Sequence, residues 1–103
     1  MHSNDAQMLV LTVLADGPRH GYAINAAIEE LTGSRLGPGS LYGALARLEA
    51  RELIRPRDEG AEGPERHRTM QITDSGRDLL GAQLRQMARV SAAGLRALGL
   101  AQA

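Results

Sequence analysis

The apolar positions along the chain change period several times, and each change marks an element. Met8, Leu9, Val10, Leu11, Val13 and Leu14 cover nearly every face of one segment. Asn4 stands before it as a cap, with Asp5 in the first turn and Gln7 at the capping-box position, so a helix is predicted to about Ala15. A helix apolar all round is covered on more than one side, and in so small a protein the second cover is expected to be another subunit. Asp16-Gly17-Pro18 ends it, glycine permitting a left-handed cap and proline blocking continuation. Ile24, Ile28 and Leu31 then fall on one face of a second helix from about His20 to Thr32. Gly33 and Leu36-Gly37-Pro38-Gly39 form the next break. A third helix is predicted from Ser40 to about Glu52, with Leu41, Leu45 and Leu48 as its buried stripe. Its opposite face shows Ser40, Gly43, Arg47 and Arg51 and no acid.

The period then shortens. Leu53–Asp58 and Arg66–Ile72 read as two short strands around a loop at 59–65, with Met70 and Ile72 alternating against Thr69, Gln71 and Thr73. Pro56 confines the first strand to an edge or a bulge. Thr73 caps a long final helix to about Leu98, with Asp74 and Asp78 near its positive end. Leu80, Leu84, Met87, Ser91, Leu95 and Leu98 make a single seam like that of a short coiled coil. Arg85, Arg89 and Arg96 form a separate stripe that reads as a solvated face.

This order predicts a mainly α fold with a small β-hairpin: a winged helix-turn-helix plus a long C-terminal helix. The expected division is a DNA-binding domain over 1–73, with its recognition helix at about 40–52 and its wing at about 53–72, and a dimerisation helix over 74–103. In such modules the second helix of the pair enters the major groove. Ser40, Tyr42 and Gly43 would approach the DNA there, at a helix N-terminus that favours phosphate. Arg47 would reach a phosphate or a base edge. The hairpin arginines Arg55, Arg57, Arg66 and Arg68 would flank the backbone or minor groove. The expected homodimer interface combines the seam with the first helix, through Met8, Leu11, Leu80, Leu84, Met87 and Leu95.

Composition narrows the alternatives. The 103 residues suit one core, and 43% hydrophobic content argues against disorder. Tyr22 and Tyr42 are the sole aromatics, so the core is aliphatic. With no cysteine there is no disulfide, thiolate metal site or thiol nucleophile, which fits a reducing cytoplasm. The apolar run Met8–Leu14 is too short to span a bilayer, and Met1–Gln7 lacks the cationic start of a signal peptide. A soluble, cytoplasmic protein is expected. His2, His20 and His67 show no ligand spacing, and nothing signals a Ser–His–Asp arrangement. Neither a metal, a cofactor nor an enzyme is expected.

Formal net charge is zero, which counts against a nucleic-acid partner until its distribution is considered. Arg35, Arg47, Arg51, Arg55 and Arg57 face only Glu49 and Glu52 in the segment 33–57. Arg85, Arg89 and Arg96 stand without an acid in 79–103. The intervening loop is acidic, with Glu59, Glu62 and Glu65. A winged-helix protein-interaction module without DNA binding is therefore the alternative reading.

Four blocks also carry a family resemblance. Gly17-Pro18-Arg19-His20-Gly21-Tyr22, Gly37-Pro38-Gly39-Ser40-Leu41-Tyr42, Ala44-Leu45-Ala46-Arg47-Leu48-Glu49 and Ile72-Thr73-Asp74-Ser75-Gly76-Arg77 resemble, in order, the signatures of PadR-type transcriptional regulators. The resemblance covers roughly Met8–Leu84. It implies a cytoplasmic homodimer that usually represses genes from a palindromic operator, with a single C-terminal helix supplying the dimer interface. It also implies DNA contacts at Tyr22, Ser40 and Tyr42, and a basic phosphate contact at Arg47. Tyr22 has a second reading, as a packing residue with a wet hydroxyl. The chain departs from the family pattern twice. Thr69 and Met70 replace an aromatic pair in the second wing strand, and Glu52 replaces the glycine after the recognition helix. A small-molecule effector is common in the family. Here a pocket between subunits would be aliphatic, lined by Met8, Leu11, Met87 and Leu95, and unsuited to stacking planar drugs.

Overall fold

Residues 3–57 and 68–100 are described by the structure, a computed structural model. The loop expected at 59–65, the start of the second wing strand and Arg66 lie outside the described residues. The elements run in the order α1 (Ser3–Ala15), β1 (Arg19–His20), α2 (Gly21–Thr32), α3 (Pro38–Ala50), β2 (Ile54–Pro56), β3 (Thr69–Ile72) and α4 (Asp74–Ala97). The fold is mainly helical with a small antiparallel sheet.

α1 is the hub. It packs against α2, α3, α4 and β3, so most of its apolar surface is covered within one chain, while Met8 and Leu9 stay half-buried. Val10, Leu11 and Leu14 are fully buried there, with Ile24 and Ile28 of α2 and Leu45 and Leu48 of α3. The helix begins at Ser3, so Asn4 lies inside it and is not its cap. Its negative end is closed by side chains from elsewhere: Arg19 Nε donates to the Val13 carbonyl at 3.2 Å and Arg77 Nη1 to that of Ala15 at 3.5 Å.

The sheet has three strands, in the order β1-β3-β2. Arg19 and His20 pair with Met70 and Thr69, adding a strand to the expected hairpin. β2 is an edge, as Pro56 requires. Met70, one of the two positions where the family resemblance implied an aromatic, is fully buried, so β3 packs on the core through a flexible thioether.

Thr73 caps α4, its Oγ1 accepting from the Gly76 N–H at 3.0 Å. α4 buries only Gly76 and Leu80, both in its first two turns. These turns therefore pack as one unit with residues 3–57 and 68–73. Beyond them Leu84, Met87, Val90, Leu95 and Leu98 are exposed. Two expected interface residues are not available to a partner: Leu11 is 1% exposed and Leu80 is 4% exposed, each within the chain's own core.

Candidate nucleic-acid interface

The helix-turn-helix is α2, the turn 33–37 and α3. α2 ends at Thr32; Gly33 caps it, its N–H donating to the Glu29 carbonyl and its φ of 87° turning the chain out of the helix. The turn is then tied to α2 by side chains. Asn25 Nδ2 donates to the Leu36 carbonyl at 2.9 Å, and the Leu36 N–H donates to Asn25 Oδ1 at 2.9 Å. Arg35 pairs with Glu29 at 3.1 Å. Asn25 leaves a single trace in the sequence, a polar residue beside the apolar Ile24.

α3 begins two residues earlier than its apolar stripe suggests. Gly37 is the cap and Pro38 occupies the first turn, where the ring's fixed φ fits a helix and its missing N–H is no loss. The first intrahelical bond runs from the Leu41 N–H to the Gly37 carbonyl at 2.9 Å. The N–H groups of Gly39 and Ser40 precede it, so they have no intrahelical acceptor. Residues 37–40 are all exposed. This end therefore presents donors and the positive end of the helix dipole to solvent, an arrangement that receives phosphate.

Other expected contact residues are distributed as follows. Arg47 is exposed and makes no ion pair among the described residues. Its guanidinium lies back over Gly43, where a Cβ would come within 3.1 Å of Nη1. Gly43 thus serves as room for Arg47. Tyr42 is half-buried and packs on the core. Tyr22 is 64% exposed and stands edge-on to His20, with ring centroids 6.2 Å apart. Arg51 does not join the polar face with Arg47; its Nη1 donates to the buried Gln7 of α1 at 2.7 Å. Arg68 is drawn inward, its Nη2 pairing with Glu49 Oε1 at 2.8 Å. That pair ties the base of the wing to α3. Arg55 and Arg57 remain exposed on the edge strand and just beyond it.

A second surface lies between α1 and α4. Met8, Met87 and Val90 line an open groove of about 440 Å³, rimmed by Asp5, Gln83 and Gln86. Met8 and Met87 both line this groove of the single chain, whereas Leu11 lies in the core and Leu95 stands elsewhere on α4's exposed surface. No cluster of potential metal ligands occurs among the described residues, nor any helix long and apolar enough to cross a membrane.

Residues 10–82 match the transcriptional regulator PadR-like family, whose members are regulators and not enzymes. The chain is 62% identical over 91 residues to an uncharacterised 37.1 kDa protein in transposon TN4556 of Streptomyces fradiae. The match covers 88% of this chain and 25% of that protein, so the chain spans about a quarter of that relative's length. Among solved structures, a transcriptional regulator from Clostridium thermocellum superposes with a TM-score of 0.69 at 26% identity, over 84% of this chain and 82% of that one. RosR of H. salinarum gives 0.66 at 29% identity, over 80% and 71%. A PadR-like transcriptional regulator from Bacillus cereus gives 0.74 at 22% identity, over 89% of each chain, a likeness of fold.

Proposed function

The chain belongs to the PadR-like family of transcriptional regulators, and from that premise we propose that it is a cytoplasmic repressor that binds a palindromic operator as a homodimer. The observation that carries this reading is the exposed start of α3. Gly39 and Ser40 offer backbone donors there, and Arg47, without an acid partner among the described residues, leans toward the same end over Gly43. Inserted in the major groove, this end would anchor on phosphate, with Arg47 adding a phosphate contact while Ser40 approaches base edges. Tyr22 would add a contact from the start of α2. Arg55 and Arg57 would follow the backbone beside the wing. Arg68 would act by holding the wing base on Glu49, and Arg66, outside the described residues, would contact the DNA backbone or minor groove.

The proposed second subunit covers the α1–α4 groove and the exposed seam beyond it, through Met8, Leu84, Met87 and Leu95. Two-fold symmetry would then set the two α3 helices about one helical turn of DNA apart, roughly 34–36 Å. The reading is tested by fluorescence polarisation against duplex from upstream of the protein's own gene. Saturable, salt-sensitive and sequence-dependent binding is expected, with transcription of a reporter falling when the protein is present. Failure to bind any duplex at low salt overturns the proposal and leaves the protein-interaction module in its place.

A further inference from the structure

We propose that Asn25 is a positioning residue that sets how well the protein discriminates between DNA sequences, an inference that rests on the DNA-binding reading above. Leu36 is a buried residue in an irregular turn, where its N–H and C=O have no ladder or helix to join. Both groups would need partners if removed from water. The Asn25 side chain supplies one donor and one acceptor at once, each at 2.9 Å. It pairs with Leu36 much as a peptide group pairs across a β-ladder.

The position of this clamp gives it a consequence for recognition. Leu36 directly precedes Gly37, the cap of α3. Asn25 sits on α2 three residues after Tyr22, within a helix anchored in the core by Ile24 and Ile28. The Leu36 side chain packs in the core, and the Asn25 amide fixes the orientation of its backbone, and so of the start of α3, against α2. The neighbouring tie from Glu29 to Arg35 is half exposed on both sides and holds the turn weakly. Phosphate contacts tolerate small shifts of α3, because charge attraction is broad in space. Hydrogen bonds to base edges do not, because they require short distances and aligned donors. Loosening the clamp thus erodes discrimination while sparing general affinity for DNA.

The test uses the full chain, Asn25→Ala and Asn25→Asp. Each is titrated against operator duplex and a scrambled duplex at one salt concentration, with unfolding midpoints and exchange of the Leu36 amide measured in parallel. Asn25→Ala is expected to exchange Leu36 faster and to lose about tenfold in the operator-to-scrambled affinity ratio, with scrambled binding held within about twofold. Asn25→Asp keeps an acceptor for the Leu36 N–H and loses the donor, so its ratio should fall between the two. Parallel losses on both duplexes would make Asn25 merely structural and overturn the proposal. Faster Leu36 exchange with an unchanged ratio would overturn it as well. A wild-type protein that fails to discriminate would overturn the operator-binding reading and this role together, whereas a discriminating wild type beside an equally discriminating Asn25→Ala removes the role of Asn25 alone.

Discussion

Arg51 Nη1 and Gln7 Oε1 lie 2.7 Å apart, a charge-assisted bond between the end of α3 and the middle of α1. Gln7 is the buried polar residue of the core. Removing the arginine takes its charged donor from the amide oxygen of a residue only 7% exposed. Arg51→Ala should lower stability by about 1–3 kcal/mol, read as a shift in denaturant midpoint at constant slope. A midpoint equal to wild type would show that the bond contributes nothing net.

Glu52 follows α3 with a φ of 60°, the one non-glycine residue with positive φ among those described. The Leu53 N–H bonds to the Leu48 carbonyl at 2.9 Å and the Glu52 N–H to that of Glu49 at 3.0 Å. This is a Schellman closure, and it places Glu52 where a left-handed residue is required. Gly99 fills the corresponding position after α4, and Gly33 caps α2 with positive φ as well. Glu52→Gly should therefore stabilise the protein, by about 0.5–1 kcal/mol after the extra freedom of glycine in the unfolded chain is counted. A lower melting temperature would refute this assignment of strain.

Gly76 lies under the backbone of residue 53, and a Cβ there would overlap the Leu53 carbonyl oxygen and press on Ile72. The obstacle is backbone, which cannot rotate away. Gly76→Ala should cost about 1–3 kcal/mol or prevent folding, despite alanine's better helix propensity. Stability equal to wild type, measured by thermal unfolding, would contradict the close approach.

Arg47 tests the DNA face without touching the core. Arg47→Ala should weaken binding to operator and scrambled duplex alike, and should reduce the slope of log K against log salt by about 0.9 if one phosphate contact is lost. A selective loss on the operator would instead assign Arg47 to a base edge. No change on either duplex would remove it from the interface.

Met87 tests the second surface. It is 53% exposed, so a charge there does not disturb the chain's own packing. Met87→Glu should leave the helical circular dichroism in place and shift sedimentation from dimer to monomer at micromolar concentration. Persistence of the dimer would move the interface away from the α1–α4 groove.

Much of the fold was legible in the chain because single periodicities dominate its elements. The Leu41/Leu45/Leu48 stripe, the Thr73 cap and the edge position of Pro56 all appear in the structure as expected. The start of α3 was harder to read, since Gly-Pro-Gly serves equally as a turn and as a first helical turn. The cover of α1 was also ambiguous: an apolar helix surface does not say which chain buries it, and here Leu11 and Leu80 are buried by their own. Side-chain ties across long separations leave no local trace. Glu49 with Arg68 and Asn25 with Leu36 emerge only when the elements are packed. Arg68 therefore changed from an expected contact to a brace.

The strand at Arg19–His20 is two residues long, too short to show any alternation, yet it alters the mechanics of the wing. Pairing His20 with Thr69 joins the base of the hairpin to the residue before Gly21-Tyr22. The Glu49–Arg68 pair joins that base to α3 as well. A wing held by only one tether would behave as an independent flap, and every duplex it met would have to immobilise it. Held at two points, the base of the wing is fixed to both helices of the motif, so if the chain docks on DNA as proposed, part of the ordering entropy at that base is already spent in the free protein.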